Sequence, residues 1–205
     1  MEERLIVFRV IPLVAHLPAF LPRAESSCGV VIGDGSMNCV RYPNGFRRLA
    51  ESVRRVLRDD GIFLLRCYVQ PAVQERPEEV LAGISGNSSF HHFKLRLLMA
   101  MQQSARQGVA VGEVFRFWAD RRAEAAVPVR RAGWERAAVE TIELYRGAKT
   151  VHTFPTRTEL QSALGEFFDE VSLFHAPGGV GERCPLLVLK PRRSARTFES
   201  DGAAR

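Results

Sequence analysis

The sequence predicts an α/β protein with an open sheet and a ligand-facing edge, and two observations over residues 29–69 carry that prediction. Two apolar runs of strand length, residues 29–33 and 62–69, flank a segment whose apolar residues return at the helical period. A strand, a helix and a strand at this spacing imply a right-handed parallel crossover.

Residues 29–33 hold two adjacent valines and an isoleucine, which suits a strand buried on both faces and is too short for a helix. A polar loop, Gly33-Asp34-Gly35-Ser36, follows. After Pro43, Asn44 is expected to cap a helix with Phe46, Leu49, Ala50, Val53, Val56 and Leu57 on one face. Arg47, Arg48, Glu51, Arg54, Arg55 and Arg58 occupy the other, so the helix packs one side on a sheet. Asp59-Asp60-Gly61 is expected to end it, with Gly61 left-handed, before the second strand.

Pro77-Glu78-Glu79 opens a short helix, with proline in the first turn and acids near the positive end of the dipole. A stronger helix is expected over about residues 89–107, where Phe90, Phe93, Leu97 and Met101 form one stripe. Two more helical candidates cover 113–121 and 133–146, separated by an Ala, Val, Pro and Arg-rich connection. Thr156-Arg157-Thr158-Glu159 fits a capping box ahead of about three helical turns. Residues 171–176 and 186–189 then read as paired strands joined by a long connection. The glycines at 178, 179 and 181 lack the Lys-Ser/Thr end and following helix of a phosphate loop. Residues 191–205 are expected to be a disordered tail.

The chain has 205 residues, 46% hydrophobic and 25% charged, enough for one ordinary core over residues 1–190. Residues 5–14 are apolar but interrupted by Arg9 and Pro12 and too short to span a bilayer, so a buried strand over about 5–11 is expected, with no membrane partner. The cysteines at 28, 39, 67 and 184 and the histidines at 16, 91, 92, 152 and 175 lack ligand spacing, which predicts no metal site. Unpaired cysteines in apolar strands fit a reduced, cytoplasmic setting. A net charge of +6 raises the question of nucleic acid, but the arginines are dispersed over helix faces that also carry Glu, the pattern of a solvated surface.

The run VVIGDGSMNCVRYP, followed by LAESVRRVLRDDGIFLLR, resembles the middle of a class I S-adenosylmethionine-dependent methyltransferase of the small-molecule type. The likeness lies in the fourth strand, its helix and the fifth strand, with the pattern RVL, two residues, glycine, then an apolar strand. Leu21-Pro22 through Val31 resembles the family's entry into the fourth strand. Thr153-Phe154-Pro155-Thr156 through Phe168, with the strands after it, resembles the last helix and terminal hairpin. The likeness covers most of residues 17–190.

The resemblance implies an incomplete Rossmann-like doubly wound sheet, a helical lid insertion at about residues 77–146 and a C-terminal antiparallel hairpin. It implies S-adenosyl-L-methionine as cofactor and a small-molecule methyl acceptor as partner. Gly33, Asp34, Gly35 and Ser36 match the loop beside the methionine end of the cofactor. Asp34 is then a candidate to orient the cofactor ammonium or take a substrate proton. Arg66 and Tyr68 would face the acceptor, and His91 and His92 on the lid are candidate bases.

This sequence also departs from the family. Its glycine-rich cofactor turn is expected before residue 17, and residues 1–16 do not supply it. Leu17 stands where the family carries an acid, and Gly29 where it carries Asp. The expectation is therefore a truncated or impaired methyltransferase, or else a non-catalytic binding or subunit module. Nucleic-acid binding through the arginine surface is a further alternative, and self-association through the incomplete sheet is expected.

Overall fold

The computed structural model describes residues 21–86, 89–178 and 180–192. Strand β1 (Cys28–Asp34) leads through a 3-10 turn (Met37–Cys39) to helix α1 (Asn44–Val56), and β2 (Leu57–Arg66) follows directly. A helical insertion comes next: α2 (Pro77–Ala82), α3 (Phe90–Met101), α4 (Val111–Asp120), α5 (Arg122–Ala132) and α6 (Arg136–Glu140). It holds the short strand β3 (Val109–Ala110), which pairs antiparallel with β4 (Val151–His152). The chain closes with α7 (Arg157–Leu164), β5 (Phe168–Phe174) and β6 (Leu186–Pro191).

The main sheet has the order β1-β2-β6-β5. β1 and β2 are parallel, as the strand-helix-strand spacing predicts, while β6 runs antiparallel to both β2 and β5. The protein is thus a mixed α/β fold with a C-terminal hairpin added to a parallel crossover.

One face of the sheet is covered. Phe46, Leu49, Ala50 and Val53 of α1 and Leu160, Ala163 and Leu164 of α7 pack on Phe63, Leu65, Leu187, Leu189 and Phe168. The other face is not. Val30 and Ile32 are 37% and 56% exposed, Phe174 is 57% exposed, and Ile62, Leu64, Leu186 and Val188 beside them are half-buried. The expectation that β1 is buried on both faces is therefore corrected: among the described residues the sheet carries helices on one side, so the second helical layer of a doubly wound sheet is not seen there. The expected strand at residues 5–11 lies outside the described residues, as does the tail from residue 193.

Several boundaries also differ from the sequence reading, each because tertiary pairing overrides local pattern. Asn44 is the first residue of α1 rather than its cap; Pro43 holds the cap position and no side chain caps the helix. The helix stops at Val56 because Leu57 already pairs with Cys28 in the sheet. Asp59, Asp60 and Gly61 consequently lie inside β2, and Gly61 is not among the left-handed glycines. It is needed for space instead, since a Cβ there would sit 3.1 Å from the Gly29 carbonyl oxygen.

The insertion has its own apolar core. Phe90 and Phe93 of α3 meet Trp118 and Trp134 edge-on or tilted at centroid separations of 5.4 to 5.8 Å. Lys94 is drawn into this core, 8% exposed, with Nζ donating to Thr141 Oγ1 at 2.8 Å and lying over the rings of Phe90 and Tyr145. α3 ends at Met101, short of the expected residue 107, because Gln102 turns away to bond the backbone of Phe154. The Pro-containing connection before residue 133 is helical: α5 carries Pro128 within it, and Gly133 ends it in the left-handed conformation. The 133–146 segment divides into α6 and a 3-10 turn (Thr141–Tyr145).

At the C-terminal end the capping box forms as expected, with Thr156 accepting from the Glu159 amide and Glu159 accepting from the Thr156 amide. α7 is only 8 residues long, and Phe168 belongs to β5 rather than to the helix. Among its described residues the hairpin connection contains a 3-10 turn (Gly181–Arg183) and no α-helix.

Candidate functional site

The loop that follows β1 leaves the sheet at the carboxyl ends of the two parallel strands, the edge where open α/β sheets receive ligands. Asp34 and Arg66 end β1 and β2 and are register partners. Their side chains meet in a bidentate pair, with Arg66 Nε and an Nη each donating to an Asp34 carboxylate oxygen at 2.6 Å. Both side chains are about half exposed, and the bond to Asp34 raises the guanidinium further above its ordinary range.

Gly35 turns the chain with φ of +64°, the left-handed conformation that a glycine takes without strain. Its amide donates to the Arg66 carbonyl at 2.8 Å. A Cβ added at Gly35 would meet only the Tyr68 ring, at 4.0 Å, so a ligand has room to approach the backbone here. Gly33 differs. Its missing side chain is filled from within, because a Cβ would lie 2.7 Å from Ser36 Oγ and 3.1 Å from Phe63. Gly33 and Ser36 therefore pack the loop onto the core side, while Asp34 and Gly35 face outward.

Tyr68 stands beside Gly35, half-buried. Burial pushes its phenol up to about 12, helped by the neighbouring Cys184, so it is a protonated donor at neutral pH. Burial also raises the Cys184 thiol, against the pull of Arg66 and Tyr68. Asp34, Arg66, Tyr68 and Cys184 thus form one electrostatically coupled group at the sheet edge.

Behind this group lies a residue that the sequence reading missed. Asn38 is 3% exposed, and its amide bonds three backbone groups: Nδ2 donates to the carbonyls of Tyr68 and Thr153, and Oδ1 accepts from the Tyr68 amide, all at 2.7 to 2.9 Å. The Thr153 amide in turn donates to the Asn38 carbonyl at 2.9 Å. Asn38 therefore fixes the loop, the end of β2 and the segment after β4 relative to one another.

The other expected site residues lie elsewhere. His91 and His92 occupy the first turn of α3, their rings 6.1 Å apart, and burial, then Lys94 and His92, lower the His91 pKa. The opposite end of α3 approaches the sheet, where Gln70 and Gln74 donate to the Met99 carbonyl. The histidines are then about 10 to 12 Å along the helix from that junction. Phe90, Phe93, Met99, Phe115 and Trp118 are buried in the insertion core.

A shallow cleft of about 180 Å³ between α7 and the hairpin is lined by Leu164, Phe168, Leu187 and Arg192, at the other end of the sheet from Asp34. The described residues contain no group of three His, Cys, Asp or Glu able to hold a metal ion. No described helix is long and apolar enough to cross a membrane. Many arginines are engaged: Arg47, Arg54, Arg58, Arg157 and Arg192 all pair with carboxylates.

Neither a protein family nor a curated protein matches the chain. Among solved structures it is similar to the PH0226 protein from Pyrococcus horikoshii OT3, with 12% identity and a TM-score of 0.43 over 85% of this chain. The chain spans 56% of that protein's length.

Proposed function

We propose that this chain takes part in S-adenosylmethionine-dependent methyl transfer to a small-molecule acceptor, with Asp34, Gly35 and Arg66 holding the amino-acid end of the cofactor. One observation carries the reading: an exposed carboxylate and guanidinium lie paired beside an open glycine at the carboxyl edge of two parallel strands. An amino-acid end offers the matching charges, its carboxylate to Arg66 and its ammonium to Asp34. An exposed ion pair is worth only ~0–1 kcal/mol, so exchanging it for the ligand's charges costs little.

Gly35 admits the ligand close to the backbone, and the protonated Tyr68 phenol adds a donor. Methyl transfer is an in-line displacement, for which alignment of donor and acceptor is the main requirement. The crossover and terminal hairpin agree with the family that the sequence resembles.

A non-catalytic module is the second reading, favoured by the fact that Asp34 and Arg66 already satisfy each other. Titration calorimetry of the 205-residue chain with S-adenosylmethionine and its demethylated product separates the two. The first reading expects heat, with affinity reduced about tenfold, ~1.4 kcal/mol, in both Asp34→Asn and Arg66→Gln. No heat from either ligand overturns it. Binding that neither substitution weakens removes the pair from the site.

A further inference from the structure

Among the described residues β1 is a sheet edge with few of the features that keep edges apart. Natural edge strands carry charges, prolines or bulges that block pairing with another chain. The opposite edge, β5, has them: Asp169 and Glu170 form ion pairs with Arg192 and Arg157, and its register with β6 shifts between Glu170 and Ser172. β1 reads CGVVIGD; its single charge lies at its end, neutralised by Arg66, and past a register shift between Cys28 and Val30 its pairing with β2 is regular from Val30 to Asp34. The Gly35 amide bonds the Arg66 carbonyl, so alternation along the strand turns the peptide groups of Val30, Ile32 and Asp34 away from β2. Those groups have no partner among the described residues.

The strand is also nearly self-complementary. Set antiparallel to itself about Val31, it opposes Val31 with Val31, Val30 with Ile32, Gly29 with Gly33 and Cys28 with Asp34. The outward-facing residues Val30 and Ile32 then form the hydrogen-bonded pairs, as an antiparallel ladder requires. Their exposed side chains make one apolar stripe across both copies. Arg58, paired with Asp60, lies over Gly29 at one end of β1 and Asp34, paired with Arg66, closes the other, so neither end brings an unpaired charge to the contact.

We propose that β1 is the contact between two copies of this chain, pairing antiparallel about a two-fold axis at Val31 to join the two sheets into one. A two-fold contact of this kind uses the same patch on both partners and closes.

Sedimentation of the full chain, with amide exchange, tests the proposal. Wild type is expected at twice the monomer mass, with the Val30 and Ile32 amides protected more strongly as concentration rises. Ile32→Pro removes one outward amide at a position where an edge strand tolerates proline, and Val30→Lys places a charge on the stripe. Both are expected to sediment as monomers with unchanged circular dichroism, whereas Phe174→Ser on the other edge stays dimeric. If Ile32→Pro fails to fold, Val30→Lys decides. A monomeric wild type, or a dimer that survives Val30→Lys, overturns the proposal. So does protection of Val30 and Ile32 that is independent of concentration, because the edge is then covered within one chain.

Discussion

Asn38 shows what one buried amide can hold. Replacing it with alanine leaves the Tyr68 amide and the carbonyls of Tyr68 and Thr153 without their partner. An abandoned buried group costs ~1–3 kcal/mol, so Asn38→Ala is expected to lower stability by about 3 kcal/mol, read from the urea midpoint. Asp34→Asn, on an exposed pair, is expected to change it by less than ~1 kcal/mol. The contrast mirrors what the sequence made visible. Asp34 stands out because it sits in a short polar loop between a strand and a helix. Asn38 does not, since its partners lie 30 and 115 positions away and no local pattern marks it.

Among elements, α1, α2 and α7 are found where strong periodicity or a local cap placed them, though the ends of α1 and α7 shift. Those misread are decided from a distance. α3 is shortened by Gln102, and Leu57 is taken from the helix by its pairing with Cys28. α5 contradicts the ordinary meaning of proline outright.

The joint between the helical insertion and the hairpin also has a pH signature. Glu75 bonds Arg96 of α3 and Arg183 of the hairpin connection. Burial by itself would raise the Glu75 pKa, but the two guanidinium bonds outweigh it and hold the carboxyl below its ordinary 4.5. A depressed carboxyl stabilises the fold above its unfolded pKa, and that contribution is lost as pH falls through the folded value. Wild type is thus expected to lose melting temperature below about pH 4.5, and Glu75→Gln to start lower and show a shallower acid slope.

For the molecule as a whole, the described residues form two apolar cores, one under the sheet and one inside the insertion. Polar ties span the gap, notably Gln70, which follows Val69 of the first core and donates its side-chain amide to the Met99 carbonyl of the second. Gln70→Ala is expected to cost about 1 kcal/mol. It is also expected to separate the exchange of amides in α3 and α4 from those in β2 and β6, measured by native-state hydrogen exchange. Coincident exchange of the two groups in that variant would show that the cores unfold together without the tie.

The four thiols differ in access: Cys67 and Cys184 are buried, Cys28 is partly covered and Cys39 is exposed. A small alkylating reagent should therefore modify the chain in stages, and the order of labelling tells how the molecule is assembled at that moment. Cys28 begins the strand at the edge of the described sheet and Cys39 lies beyond it in the loop turn, so the ratio of their labelling rates measures occupancy of the edge, with the second thiol as clock. Early modification of Cys67 or Cys184 would instead report opening of the sheet itself.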